Sequence, residues 1–305
     1  MLNQTKGKNM IKKIILTLAL LLSVTSHAQS VDRILSLPTM LPIEGGTKAT
    51  DADPEIFSTV AIGWANGSFC SGVLINELYV LTAYHCGVLG TNGADYIITL
   101  TNSLGPKEQI AGAEVYPYPG AKEEREKILA DEAKLSVKAD NAKTFAEYKE
   151  AILQMDALRG PAHDLLVIKL SKPFSLPHQT AKIDFNRKLG LNSSLKLAGF
   201  GMTFPNSGMS KELYLLDLKV VEEQENALVL YKEDGKSLGG DSGGPAYVVE
   251  GNKRYLAAIN IAANYEPVEE LWLKKDPKPY KKRSTMMNLS RFADFLKPFL
   301  PAESN

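Results

Sequence analysis

Short runs of alternating apolar and polar residues dominate this chain. Thr59 to Ile62, Phe69 to Ile75 and Tyr79 to Ala83 are rich in β-branched and aromatic residues, and Gly63, Asn66-Gly67 and Asn76-Glu77 punctuate them. Runs of this kind between turn residues predict strands joined as hairpins. The pattern continues through Ile97 to Leu100, Glu114 to Tyr116, Leu195 to Ala198, Leu213 to Val221, Ala227 to Tyr231, Ala246 to Val249 and Leu256 to Ile261. One segment departs from it. Residues 121–158 are rich in Lys, Glu and Ala, lack Gly and Pro, and place Phe145, Tyr148 and Ile152 at helical spacing, with Glu147 and Glu150 on the opposite face. That period predicts one or two amphipathic helices, which Gly160 and Pro161 end. A second helical period runs from Leu289 to Leu296, with a stop at Pro298. The pattern alone therefore predicts a β-rich domain with a helical insertion.

Composition narrows the class. Of 305 residues, 44% are hydrophobic, enough for a packed core. Lys plus Arg and Asp plus Glu both number 35, so nothing global points to nucleic acid or to an anionic membrane. The two cysteines, Cys70 and Cys86, cannot make a four-cysteine zinc site, and no Cys-x-x-Cys or His-Glu-x-x-His motif occurs, so neither metal nor other cofactor is expected. Lys6, Lys8, Lys12 and Lys13 precede an apolar run from Ile14 to Val24, and Ser26-His27-Ala28 supplies small residues for cleavage. Residues 1–28 thus read as a signal peptide, the apolar run being short for a ~20-residue membrane span. Residues 29–42 read as a leader or propeptide. A secreted or periplasmic protein follows, in a compartment that permits disulfides.

The candidate chemistry centres on Gly239-Gly240-Asp241-Ser242-Gly243-Gly244-Pro245. Four glycines around one serine let the backbone turn sharply and expose Ser242 beside main-chain N–H groups, as a nucleophile with an oxyanion hole requires. The string resembles the nucleophile signature of the trypsin/chymotrypsin-like serine proteases. Two further strings carry the same resemblance: Val80-Leu81-Thr82-Ala83-Tyr84-His85-Cys86, and Asp164 followed by the apolar run Leu165 to Leu170. His85, Asp164 and Ser242 stand in that family's order, 79 and 78 positions apart. The first interval is long by about the size of the helical insertion, which stands where the family has a short loop.

The resemblance implies two six-stranded antiparallel β-barrels with a C-terminal helix, in a protease domain over residues 43–305 with the insertion at about 121–158. It implies a catalytic triad of His85, Asp164 and Ser242, an oxyanion hole from the N–H groups of Gly240 and Ser242, and a Cys70–Cys86 disulfide beside the histidine. Ile43-Glu44-Gly45-Gly46 resembles the family's mature N-terminus, whose new amine pairs with the aspartate before the nucleophile, here Asp241. Pro42 departs from the Arg or Lys that usually precedes the cut, so self-activation by a tryptic cut is not implied, and an activating protease is a candidate partner. By the same resemblance Lys236 lies at the base of the primary pocket, where trypsins have an aspartate, and Asn260, Ile261 and Ala262 form its wall. Leu238 replaces a cysteine that braces that pocket. Cleavage after Arg or Lys is then disfavoured, unless a shifted loop brings Asp234 to the pocket base.

Protein or peptide substrates and a monomeric state are expected. Two alternatives stay open: a silent homologue that acts by binding, and an esterase using the same triad. The basic cluster Lys274, Lys275, Lys278, Lys281, Lys282 and Arg283 suits either a solvated loop or an anionic partner.

Overall fold

The alternating runs become strands, and the strands close on themselves twice. The computed structural model describes residues 43–64, 69–87, 92–100, 108–158, 163–203, 208–210, 212–275 and 280–301. The expected signal peptide and leader, the Asn66-Gly67 turn, the Gly160-Pro161 helix stop and Lys278 lie outside the described residues.

After a two-residue strand β1 (Thr47–Lys48), the first barrel is built from β2 (Thr59–Trp64), β3 (Phe69–Asn76), β4 (Tyr79–Thr82), β5 (Tyr96–Leu100), β6 (Glu108–Pro117) and β7 (Leu166–Leu170). They close in the order β2-β3-β4-β7-β6-β5, every neighbour antiparallel. Val73, Leu74, Leu81, Ile98 and Ile168 are fully buried there. Each such side chain contributes about 1.5–3 kcal/mol by leaving water.

The second barrel is built from β8 (Ser194–Gly199), β9 (Tyr214–Glu223), β10 (Ala227–Tyr231), β11 (Pro245–Glu250), β12 (Lys253–Pro267) and β13 (Tyr280–Asn288). The ring β9-β10-β13-β12-β11-β8 is closed by β8 pairing back onto β9, and β1 adds to β9 outside it. In β9 Leu216, Leu218 and Val220 are buried while Asp217, Lys219 and Val221 face water, the period of two that one buried face demands. β13 passes straight through Lys281, Lys282 and Arg283, part of the basic cluster, and so corrects the reading of that stretch as a loop. Arg283 there lies 3.9 Å from Glu222, and Lys274 ion-pairs with Glu270.

The insertion forms a helical hairpin, α1 (Ala121–Asp140) and α2 (Phe145–Ala157). α1 begins at Gly120 in the left-handed region (φ 81°) and carries Glu123 and Glu124 in its first turn, where the helix dipole favours acids. α2 opens on a capping box: Thr144 accepts Glu147 N, and Glu147 reaches back to Thr144 N. Such a cap contributes about 1 kcal/mol. Tyr148, Ala151 and Ile152 are buried as one face. That face packs against Trp272 of the short helix α3 (Glu269–Leu273), the Tyr148 and Trp272 rings 4.7 Å apart. The tail is less continuous than its period predicts. Its α-helical part, α4, is only Ala293–Leu296, with 3-10 turns at Leu289–Arg291 and Lys297–Phe299 on either side. Asn288 accepts Ser290 N and starts the first turn, and Pro298 sits inside the last turn rather than after it.

Candidate active site

His85 sits in a 3-10 turn, Tyr84–Gly87, that follows β4. The turn is stapled to β3 by the Cys70–Cys86 disulfide, with the two Cα atoms 6.1 Å apart. A link across 16 positions contributes roughly 3 kcal/mol by restricting the unfolded chain. Cys70, His85 and Cys86 also bring metal-type atoms within 4.8 Å of one another. Both sulfurs are in the disulfide, however, and only a thiolate ligates well, so the grouping is structural.

Asp164 lies just before β7, with its side chain 11% exposed. Its Oδ1 accepts the backbone N–H of His85 at 2.7 Å, and its Oδ2 faces His85 Nδ1 at 2.7 Å. An ionised carboxylate only accepts, so Nδ1 carries the proton and Nε2 is left as the basic nitrogen. Burial, the largest single influence on Asp164, pushes its pKa up. The charge and two hydrogen bonds of His85, joined by the charge of Arg125, outweigh it and hold the carboxyl below its ordinary value.

Ser242 is presented by the second barrel, partly exposed, in the turn that leads into β11. That turn is clamped from both barrels. Asn260 of β12 accepts Gly243 N at 2.7 Å and donates its own N–H to Gly244 O at 2.9 Å. Ser71 of β3 donates its N–H to Ser242 O at 2.8 Å and its hydroxyl to Gly240 O at 2.9 Å. The Cys86 sulfur lies 3.7 Å from Ser242 O, which places the nucleophile turn against the residue after His85. Gly240 and Gly243 adopt φ of 89° and 77°. A Cβ on Gly243 would overlap Thr82 Oγ1 and Ser71 O, so the turn needs glycine there for angle and for space. The N–H groups of Gly240 and Ser242 have no acceptor among the described residues. The structure thus brings His85 and Asp164 into direct hydrogen bonding and docks the Ser242 turn beside them.

Ser71 is the residue holding the Ser242 turn that the sequence did not announce. It is fully buried, and besides its two bonds to the nucleophile turn it accepts Phe200 N at 3.0 Å. A hydroxyl inside an otherwise apolar β3 was its visible signal.

Asp241 is fully buried. Its carboxylate accepts Gly201 N and Leu238 N, each at 2.8 Å. Burial pushes its pKa up to about 7, against those two bonds and the charge of Lys282. Ile43 packs in the core of the second barrel, and its carbonyl accepts Gly46 N at 2.9 Å. No ion pair joins Ile43 to Asp241 in the unprocessed chain described here, where Ile43 has no free amine.

The pocket residues separate. Lys236, expected at the pocket base, instead turns its Nζ to Glu44 Oε2 at 2.8 Å, and its backbone N–H donates to Glu44 O at 3.0 Å. Asp234, the alternative base, is 78% exposed and faces Lys232 at 3.4 Å. Both expectations are corrected for one physical reason: the segment 232–236 pairs with the chain at Glu44 and Gly45, and the charges of Lys236 and Asp234 are taken up by Glu44 and Lys232. Asn260 is buried behind the Ser242 turn, and its Oδ1 has no hydrogen-bond partner among the described residues. Ile261 is the bulged residue of β12, and together with Ala262 it walls a narrow cleft shared with Tyr84, Asp164 and Arg125.

A family model described as Trypsin matches residues 43–269 of the chain.

Proposed function

The chain belongs to the trypsin family, and from that premise we propose that it is a secreted serine endopeptidase working through an acyl-enzyme. His85 Nε2 takes the Ser242 hydroxyl proton as Oγ bonds to the scissile carbonyl carbon. The developing oxyanion is received by the N–H groups of Gly240 and Ser242, a role in which one donor is worth ~3 kcal/mol. His85 then gives its proton to the leaving amine as the C–N bond breaks. Water enters by the same route in reverse, with His85 as base, and frees Ser242. Asp164 stays ionised throughout and holds the imidazole.

The observation that carries this reading is the pair of hydrogen bonds from His85 to Asp164, one from the backbone N–H and one from the ring, at 2.7 Å each. The order of export and activation belongs to the same proposal: residues 1–28 direct export, and cleavage before Ile43 supplies an amine to the buried Asp241 carboxylate. The test is covalent labelling of the processed chain by a fluorophosphonate, together with hydrolysis of a casein substrate. Ser242 should carry the label, and Ser242→Ala should lose both label and hydrolysis. A processed chain that neither labels nor cleaves would overturn the reading in favour of a silent binding homologue, and one that labels but cleaves only esters would overturn it in favour of an esterase.

A further inference from the structure

Tyr118, just ahead of the inserted helices, and Glu124, within them, hold the chain on the two sides of Asp164. Tyr118 N donates to the carbonyl of Leu165, the residue after Asp164, at 3.0 Å. Glu124 Oε2, in the first turn of α1, accepts the N–H of His163, the residue before it, at 2.7 Å. The His163 ring is then fixed in place: Nδ1 faces the same Glu124 oxygen at 3.2 Å, and the ring stacks on Tyr118 at 4.6 Å and 8°.

Arg125 follows Glu124 on the helix, and it enters the cleft that Asp164 lines. Ile261 and Ala262 also line it, and their side chains carry no donor. Asp164 accepts two hydrogen bonds, both from His85, although a carboxylate offers about four lone-pair sites. The Arg125 Nε is buried and has no partner among the described residues. A guanidinium is always charged, and in a narrow, partly buried cleft its field on a carboxylate is screened less than in bulk water. The other titratable groups around the cleft are Tyr84, Glu124 and His163.

We propose that the insertion is part of the catalytic apparatus: Arg125 is a positioning residue that supplies a counter-charge to Asp164 and keeps its carboxylate aimed at His85, while Glu124 fixes the backbone that carries it. This rests on the triad reading above. The helical hairpin is then more than a surface decoration, because the protease chemistry borrows a charge from it.

The experiment compares the processed wild-type chain with Arg125→Met, which keeps the stem and removes the charge, and Arg125→Lys, which keeps a charge. One readout needs no turnover: the proton resonance of the His85 Nδ1–H bonded to Asp164, followed in chain labelled at histidine nitrogen. Loss of a nearby cation makes the carboxylate a stronger acceptor, so the resonance moves downfield in Arg125→Met and stays near wild type in Arg125→Lys. In turnover, kcat of Arg125→Met falls roughly tenfold with KM within about twofold. The acid limb of its kcat/KM profile moves to higher pH, because the protonated dyad no longer faces a like charge. An unmoved resonance and acid limb in Arg125→Met would overturn the proposal. So would equal losses in Met and Lys variants that track a lower unfolding midpoint, since packing alone explains that. A wild-type chain that turns over nothing, while the resonance still answers to Arg125, supports the counter-charge and counts against the protease reading only.

Discussion

Asp164 holds His85 at both ends: one carboxylate oxygen takes the backbone N–H and the other faces the ring Nδ1, at 2.7 Å each. The carboxylate therefore orients the whole residue, main chain and imidazole together. Asn in its place can still accept from the backbone, but it then presents an N–H to Nδ1 and forces the other tautomer, with no basic nitrogen towards Ser242. Asp164→Asn is expected to lose about 10⁴ in kcat with KM little changed. Steady-state kinetics on a peptide substrate measures this, and a loss below tenfold would remove Asp164 from the triad.

Gly243→Ala tests the nucleophile turn by space alone. At φ 77° and against Thr82 Oγ1 and Ser71 O, a methyl cannot enter without moving the turn. Strain of this kind costs on the order of 1–3 kcal/mol. The expected outcome is a lower denaturation midpoint and a loss of fluorophosphonate labelling larger than the stability loss explains. Wild-type labelling rates would show that Ser242 does not need this turn.

Asp241 should make the unprocessed chain less stable as pH rises. Its folded-state pKa is about 7 because of burial, against an ordinary value of 3.8. Between those values the folded chain retains a proton that the unfolded chain has released, so stability present below about pH 4 is lost progressively up to about pH 7. The full loss is on the order of 4 kcal/mol. An ammonium brought to Asp241 by cleavage before Ile43 favours the ionised carboxylate and flattens this slope. Urea unfolding of the unprocessed and processed chains from pH 4 to 8 checks it. A flat profile in the unprocessed chain would contradict the buried, unpaired carboxylate.

Primary specificity should be non-tryptic. Lys236 is tied to Glu44 and Asp234 is out in solvent beside Lys232, so neither offers a carboxylate to a substrate guanidinium. Arg-aminomethylcoumarin peptides are expected to be poor substrates, at least tenfold below the best uncharged residue in a peptide-library profile. Asp234→Ala should leave that profile unchanged. Efficient Arg cleavage abolished by Asp234→Ala would mean that the segment reverses on substrate binding.

What was legible in the sequence was local. The His85, Asp164 and Ser242 strings each carry their own strand or turn, so their residue types survive being read in isolation. Glu147 and Glu150 show the same point in α2, since the helical period alone placed them on the polar face, where both are exposed. What was not legible depends on pairs far apart in the chain. Lys236 looked like a pocket residue because nothing near it announces Glu44, and Lys281 to Arg283 looked like a solvated loop because β13 is specified by β10 and β12, not by its own alternation. Glu124 and Arg125 lie in the helical insertion with nothing nearby in the sequence to single them out. Only the folded chain places them at His163 and Asp164.

The placement of the helical hairpin also bears on how such a chain folds. β6 and β7 pair up to Pro117 opposite Leu166, so the segment between them begins and ends at a rung of one ladder. Its closure is therefore that of a hairpin loop, and each doubling of such a loop costs only about 0.6 kcal/mol of entropy. Contacts between α1 and α2 are close in sequence and can form within microseconds, whereas the two barrels need slow, distant pairings. The local contacts of the hairpin thus favour its forming ahead of the barrel pairings, and β7 then carries Asp164 to that surface.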